Sequence, residues 1–175
     1  MIHWLPGLAD AAWFACLGAA LTAADRREAA AYLEALGHPS VPLQAVAHWR
    51  EAERVARDPL WDTQWWAREE AERERLMGTA RTRLGEAELL ERLSAATELA
   101  AEVIHGAAAV AAERDGITDA ALVRAASGAA SMALHTAALA RLAGEGDEHL
   151  FMRKYVLFAS GRWPLGIVGG EFFLF

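Results

Sequence analysis

Glu98, Glu102 and His105 have residue types and spacing that could hold a metal ion. The Glu-x-x-His pair formed by Glu102 and His105 is what di-iron carboxylate bundles place on one helix. On a helix, however, the three side chains lie opposite an apolar stripe that includes Leu93 and Ile104, where an amphipathic helix meets water. None of the other histidines follows a Glu by three residues. We therefore expect solvated carboxylates and no metal or cofactor, with a metal site at these three residues as the alternative.

A second group of polar residues, Arg124, Ser131 and His135, shares one narrow line on a helical segment that is otherwise dominated by Ala. Such a line could border a pocket, and Ser131 and His135 are close enough in sequence to form a hydrogen bond. Nucleophilic catalysis would also need an orienting acid and an oxyanion hole, and no Gly-x-Ser-x-Gly motif accompanies them. We therefore predict no catalytic residue and keep these three as a candidate pocket line. The alternative is a solvated or internally hydrogen-bonded line.

The stretch "WDTQWWAREEAERER" combines three Trp residues with a nearly continuous run of charges. A helix that is polar all round needs an anchor, and Trp and Arg are the residues that most often dominate interface energetics. We predict a partner-binding set that also includes two residues of the C-terminal segment. Its members are Trp61, Trp65, Trp66, Arg68, Arg73, Trp163 and Phe175. The alternative for the Trp residues is that they close one end of a helical bundle.

The C-terminal sequence "GRWPLGIVGGEFFLF" places two apolar runs around a Gly-Gly link, which is typical of a tight hairpin. An isolated hairpin is marginal in water, so this one must pack on something. We expect it either to seal the chain's own helices or to dock on a second copy or another protein.

Composition limits the classes of function. The chain has 175 residues, 54% of them hydrophobic, with 17 basic against 24 acidic residues and a formal charge of -7. This balance disfavours nucleic-acid binding and favours a basic protein partner. A single cysteine, Cys16, fits a reducing compartment. The longest apolar run is too short to span a membrane, and no signal peptide is evident, so we expect a cytoplasmic protein without a membrane span.

Helix caps, Gly and Pro divide the chain into about seven helical segments. We predict a single, mostly α-helical domain over residues 1–175, bundle-like over 1–160 and finished by a β-hairpin or extended tail over 161–175. The Ala-rich fifth and sixth helices should pair at the centre, since small side chains allow close packing. The predicted helices cover 8–21, 22–36, 40–57, 62–84, 86–114, 118–143 and 147–160.

Two stretches, "DAAWFACLGAAL" and "PLQAVAHWREAERVARDP", resemble small Ala-rich helical bacterial proteins of unknown function encoded near secretion systems, and helical immunity proteins of toxin systems. The resemblance covers under half of the chain. It implies a non-enzymatic interaction protein, an adaptor or immunity-like binder, in a bacterial cytoplasm. The alternative function is a helical-bundle enzyme with a carboxylate/histidine metal site or a small-molecule site.

Overall fold

The computed structural model describes residues 10–175, apart from the side chain of Leu99. This part of the chain is mostly helical and carries a small sheet, so the predicted fold class with its C-terminal hairpin is confirmed in outline. Six helices and three strands are described rather than about seven helices. In chain order they are α1 (Ala23–Leu36), β1 (Leu43–Ala45), α2 (Trp49–Ala56), α3 (Thr63–Leu84), α4 (Glu86–Arg114), α5 (Ala120–Ala143), α6 (Leu150–Ala159), β2 (Pro164–Val168) and β3 (Glu171–Leu174).

α5 is the central helix, and it packs against α3, α4 and α6. More than half of its 24 residues are buried, including a series of Ala residues that are almost completely inaccessible to water. Their small side chains allow the neighbouring backbones to approach closely, and dispersion contacts are gained in return. The predicted pairing of the two Ala-rich helices, α4 and α5, is confirmed.

Side-chain caps determine where the helices begin. Thr22, the first residue of the helix predicted over 22–36, caps α1 in a capping box. The helices predicted over 118–143 and 147–160 are capped one and two residues after these starts, at Asp119 and His149. Asp119 accepts hydrogen bonds from the first N–H groups of α5, and the His149 ring accepts one from the first turn of α6. These side chains satisfy N–H groups that have no partner within the helix.

The C-terminal hairpin lies in a three-stranded sheet. β3 is the middle strand, antiparallel to β2 and parallel to β1. Gly169 and Gly170 have φ angles of 58° and 85°, the left-handed conformation that a two-residue hairpin turn requires. Phe175 is 1% exposed. The segment therefore seals the helices of its own chain, and the third strand, β1, was not predicted.

Residues 10–21 form a series of turns, so the helix predicted over 8–21 is wrong for the described part of that range; residues 8 and 9 lie outside the described residues. The cause is Arg162, whose buried guanidinium donates hydrogen bonds to the carbonyls of Cys16, Ala19 and Ala20 at 2.5–2.8 Å. A helix would use those carbonyls for its own ladder. Cys16 is half-buried.

The helix predicted over 40–57 is shorter than expected. Its first part is the strand β1, which completes the edge of the sheet beside β3, and Pro42 accepts a hydrogen bond from the N–H of Phe172. Helix α2 begins only after His48, whose ring caps it. Pairing with a strand over 120 residues away therefore overrides the local helix signal.

Among the described residues one helix, α4, is long and apolar enough to cross a membrane by length and composition alone. Its apolar window has a mean hydropathy of 1.2, and 35% of that window is buried inside the chain. The core helix of a water-soluble protein meets the same criteria. The absence of a membrane span and the cytoplasmic location therefore stay predictions.

Candidate functional site

A cavity with an aromatic lining lies between α3, α5, α6 and β2, and we call it the Trp pocket. It encloses about 270 Å³. Four Trp and two Phe side chains contribute to its walls, together with two pairs of opposite charges. The lining residues are Trp61, Trp65, Trp66, Glu69, Glu70, Arg73, Ala129, Met132, Ala133, Thr136, Phe151, Lys154, Phe158, Trp163, Pro164 and Leu165.

One wall forms where the start of α3 meets the hairpin. The rings of Trp61 and Trp65 pack edge to face, with centroids 5.1 Å apart. Gly166 of β2 lies directly against both rings at a φ of 126°, and a Cβ there would come within 2.8 Å of Trp61 Nε1 and 3.0 Å of the Trp65 ring. A glycine is therefore required for this approach, because any side chain would displace an indole.

The floor is a closed network of buried polar groups. Tyr32 Oη donates a hydrogen bond to Glu69 Oε1 at 2.7 Å and accepts one from Trp65 Nε1 at 2.8 Å. Lys154 Nζ donates to both oxygens of Glu69, at 2.9 and 2.6 Å. The same ammonium lies 5.0 Å from the centroid of the Trp65 ring, a cation–π contact. The network ties α1, α3 and α6 together at the base of the pocket.

Burial keeps the Tyr32 phenol of this floor protonated. Full burial and the adjacent Glu69 carboxylate raise the pKa of Tyr32 well above its ordinary value, so the phenol keeps its proton and stays a donor. The side chains of Glu69 and Lys154 are 9% and 15% exposed. Buried charges are stable only when paired and hydrogen-bonded, and each satisfies the other here.

The rim of the pocket is apolar and exposed. Trp66 is 51% exposed and Met132 is 56% exposed, two of the few large hydrophobic residues that the described chain presents to solvent. Beside them Arg73 and Glu70 form an ion pair at the mouth. The pocket thus combines an exposed hydrophobic rim, an aromatic interior and a charge-balanced lining.

Five of the seven predicted partner-binding residues meet in this pocket: Trp61, Trp65, Trp66, Arg73 and Trp163. They converge on a cavity rather than on one exposed helix face, and Trp65 and Trp163 are only 4% and 5% exposed. These two buried rings therefore form walls and offer no outer surface to a partner.

The other two predicted residues lie elsewhere. Arg68 donates a hydrogen bond to the carbonyl of Leu36 at 2.8 Å, where it satisfies the end of α1. Phe175 is buried against Trp49 and Trp163, with ring centroids 5.6 and 6.5 Å away. Phe175 is covered by its own chain and offers no surface to a partner, which corrects the prediction that it belongs to the partner-binding set.

The predicted polar line of Arg124, Ser131 and His135 runs along the partly exposed edge of α5. Arg124 borders a second cavity of about 560 Å³, the α4–α5 pocket, which also contacts His105 and Ile117. Ser131 and His135 do not line it. His135 Nδ1 lies 3.4 Å from the Thr97 hydroxyl, and burial, with a smaller contribution from Arg73, lowers the pKa of His135. The imidazole is therefore neutral at pH 7.

The carboxylates of the metal alternative remain in solvent. Glu98 and Glu102 are exposed, and His105 Nδ1 lies 3.3 Å from the Ser127 hydroxyl of α5. Among the described residues a different trio, Glu72, Glu145 and His149, brings ligand atoms within 4.8 Å of one another.

The guanidinium of Arg75 already lies among these three side chains. Arg75 Nη2 donates to Glu72 at 2.6 Å and to Glu145 at 2.7 Å, and His149 Nε2 lies 2.8 Å from Glu72. Hydrogen bonding to Arg75, despite an opposing effect of burial, lowers the pKa of Glu72. One of the two negative charges of the trio is thus balanced by Arg75, a side chain of the chain itself.

Tyr32, Glu69 and Lys154 of the floor were not singled out from the sequence. One signal could have found Lys154: it is the only Lys in a chain whose other basic residues are all Arg. An ammonium that pairs inside an aromatic pocket is chemically different from a surface Arg. Tyr32 and Glu69 carry no such signal.

Comparison of the chain with protein-family models, with curated proteins and with solved structures finds no match. The resemblance to secretion-associated and immunity proteins therefore stays a prediction.

Proposed function

We propose that this chain is a non-enzymatic protein-binding module that receives an apolar anchor side chain of its partner in the Trp pocket. The observation that carries the proposal is the rim, where Trp66 and Met132 expose more than half of their surface beside an aromatic cavity. Exposed apolar residues around a pocket are typical of interaction sites, and Trp is the residue most enriched at interface hot spots.

The size of the pocket suits one large side chain of a partner better than a drug-sized ligand. Ligand pockets for drug-sized molecules occupy about 300–1,000 Å³, whereas the Trp pocket has about 270 Å³. The polar groups of its floor are also committed to one another: Glu69 accepts from Lys154 with both oxygens and from Tyr32 with one. A closed network of this kind supports rigid walls, and rigidity reduces the entropic cost of binding.

The charge of the chain favours a basic partner. Its formal charge is -7, and electrostatic complementarity accelerates association and selects partners more than it adds affinity. A cytoplasmic adaptor or immunity-like binder in bacteria is the biological role that fits such a module.

The proposal is tested by affinity capture with rim variants. Trp66→Ser and Met132→Ser remove apolar rim surface without touching the buried floor. Val110→Ser removes an exposed apolar residue, 66% exposed, from α4 outside the Trp pocket and is the matched control. We expect a specific partner to be retained by the wild-type protein and the control and lost from both rim variants. A partner that binds all four proteins equally would refute the role of the pocket.

A helical enzyme with a small-molecule site is the second candidate. The observation that favours it is the floor itself, because Lys154, Glu69 and Tyr32 are side-chain types that can transfer protons. Native mass spectrometry of the purified protein separates the candidates. A small molecule that co-purifies with the wild-type chain but not with a Lys154→Met variant of equal foldedness would favour the enzyme.

A further inference from the structure

Strand β1 lies at the edge of the sheet, and one row of its backbone groups faces away from β3. The Pro42 carbonyl accepts a hydrogen bond from a β3 N–H at 2.8 Å, and the Val46 N–H donates to a β3 carbonyl at 2.9 Å. Alternate residues of a strand direct their N–H and C=O groups to the same side, so Gln44 also faces β3. The N–H and C=O groups of Leu43 and Ala45 therefore point outward.

These four outward groups are open. They form no hydrogen bond with any of the described residues, and Ala45 is exposed while Leu43 is half-buried. The outward N–H groups on either side are already used. Val41 N–H donates to a carbonyl of the preceding turn at 3.3 Å, and Ala47 N–H donates to the Glu51 carboxylate at 2.9 Å. The open row is therefore limited to Leu43 and Ala45.

The hydrogen-bonding pattern of this row specifies the structure of its complement. Unpaired N–H and C=O groups along a strand edge pair with another extended backbone, whereas a helix uses its own backbone groups internally. In an antiparallel arrangement, one residue opposite Leu43 and another opposite Ala45 would each exchange two hydrogen bonds with β1. A segment of three residues would then satisfy all four open groups.

The two faces of β1 differ in chemistry. Leu43 packs against the apolar cluster beneath α1. Directly opposed residues share one face of a sheet, so the side chains paired with Leu43 and Ala45 should be apolar. The side chain between them lies on the other face beside Gln44, whose amide donates to Glu171 at 2.6 Å. The remaining Gln44 oxygen accepts no hydrogen bond within the described chain, so a basic side chain there would find an acceptor next to a carboxylate.

We infer that the open edge of β1 accepts an extended segment of a partner protein as a fourth, antiparallel strand, in which apolar and basic side chains alternate. The formal charge of -7 favours a basic segment and disfavours a second copy, because two copies carry like charges that repel. The inference goes beyond the proposed function, since no residue of β1 lines the Trp pocket.

The first test measures amide hydrogen exchange by NMR, with and without a six-residue peptide of alternating Lys and Val. In dilute protein without peptide, the amides of Leu43 and Ala45 should exchange at least about 10-fold faster than those of Gln44 and Val46, after correction for intrinsic rates. Saturating peptide should slow Leu43 and Ala45 at least about 10-fold and leave the other two unchanged.

Slow exchange of Leu43 and Ala45 before peptide is added would contradict the inference. If that protection disappears on dilution, a second copy covers the edge; if it persists, another part of the same chain does. Exchange that the peptide leaves unchanged at these two amides would equally show that the peptide does not pair with β1.

The second test modifies the peptide and leaves the protein unchanged. In the antiparallel arrangement the Val amides face β1 and the Lys amides face away. N-methylation of the Val amides should therefore weaken binding at least about 10-fold in fluorescence anisotropy, and N-methylation of the Lys amides less than about 3-fold. Replacing each Lys of the peptide with Glu should weaken binding at least about 10-fold at low salt. Equal losses from the two methylated peptides, or equal binding of the Glu peptide, would overturn the inference.

A pair of variants at Ala45 tests the same contact from the side of the protein. Ala45→Pro removes the outward N–H but no hydrogen bond to β3, and Pro is accepted at such positions of edge strands. It should weaken the Lys/Val peptide at least about 10-fold, whereas the control Ala45→Ser should change the affinity less than about 2-fold. Equal affinities of the two variants would show that the peptide binds elsewhere.

Trp66→Ser separates this inference from the proposed function. It should leave the affinity of the Lys/Val peptide unchanged, because Trp66 lies in the rim of the Trp pocket. If Trp66→Ser abolishes peptide binding and Ala45→Pro does not, the peptide occupies the Trp pocket and the inference is wrong. If the rim variants retain every captured partner while Ala45→Pro releases the peptide, the proposed function fails and the role of the β1 edge stands.

Discussion

Replacing Lys154 with Met should lower the free energy of unfolding by about 3 kcal/mol. Removing one partner of a buried ion pair costs about 3–5 kcal/mol, because the other charge stays buried without compensation. The side chains of Lys154 and Glu69 are 15% and 9% exposed, so water screens the lost attraction only slightly. Tyr32 would still donate a hydrogen bond to Glu69, which places the expected value at the lower end of that range.

The measurement is urea unfolding followed by circular dichroism, with calorimetry for the melting temperature. For a chain of this size, about 3 kcal/mol corresponds to a decrease in Tm of about 6–12 °C. Arg153→Met is the matched control on the same helix. Arg153 pairs with Glu28 and Glu148, whose side chains are 32% and 86% exposed, so the loss should stay below about 1 kcal/mol.

A double variant, Lys154→Met/Glu69→Gln, identifies the cause of the loss. The neutral amide at position 69 removes the uncompensated carboxylate while its oxygen can still accept the hydrogen bond from Tyr32, so this variant should recover to within about 1 kcal/mol of wild type. A single Lys154 variant with wild-type stability would show that the pair contributes nothing. A double variant as unstable as the single one would show that lost packing, rather than an uncompensated carboxylate, destabilises the chain.

Three further predictions concern the segments that hold the pocket. Deleting residues 165–175 should lower Tm by at least about 10 °C, because it removes the hairpin from the core; a truncated chain that melts like the parent would contradict this. Burial raises the pKa of Asp25, but hydrogen bonds from Arg162 and Thr22 outweigh burial and lower it. The stability contributed by Asp25 should therefore be present above about pH 4 and lost as pH falls through the lowered pKa, and calorimetry should find this acid dependence reduced in Arg162→Met. Gly166→Ala should lower the free energy of unfolding, measured in urea, by at least about 2 kcal/mol, because the new methyl group meets two indoles at a positive φ. The control Gly128→Ala lies in open space on a helix and should raise the free energy of unfolding by about 0.5–1 kcal/mol.

Local signals predicted the elements whose caps and turns lie within a few residues of them. α4 has the predicted bounds, α1 is capped by Thr22 at the start of its predicted range, and the Gly169–Gly170 link forms the predicted turn. The exposed state of Glu98 and Glu102 also follows from the helical period alone. In each case the information is contained in a single turn or helix face.

The elements that were mispredicted depend on partners far along the chain. The turns over residues 10–21 follow from Arg162, which lies more than 140 residues away and replaces a helical ladder with its own hydrogen bonds. β1 exists because β3 provides the paired edge. Neither Arg162 nor β3 can be recognised as a distant partner from a local sequence pattern. The stretches 8–21 and 40–57 each carry helix signals of their own, and only the distant contact overrides them.

The sequence predicted several residues of the candidate site but not the cavity that they line. Trp61, Trp66 and Arg73 were chosen because their types favour interfaces, and all three border the Trp pocket. Their convergence with Lys154 required the packing of α6 and β2 on α3, which no spacing in the sequence encodes. The result is a cavity instead of the expected exposed helix face.

The hairpin links the stability of the fold to the shape of the pocket. It buries Phe175 and Trp163 in the core, and in doing so it brings Pro164 and Leu165 into the pocket wall and Gly166 against the Trp rings. Loss of the hairpin must therefore damage stability and binding together, so such a variant says nothing about function. The exposed rim behaves differently: Trp66 is 51% exposed and belongs to neither hydrophobic core cluster, so the effect of a change there on binding should appear with little change in Tm. That separation makes the rim, and not the apolar tail, the decisive place to test what this protein does.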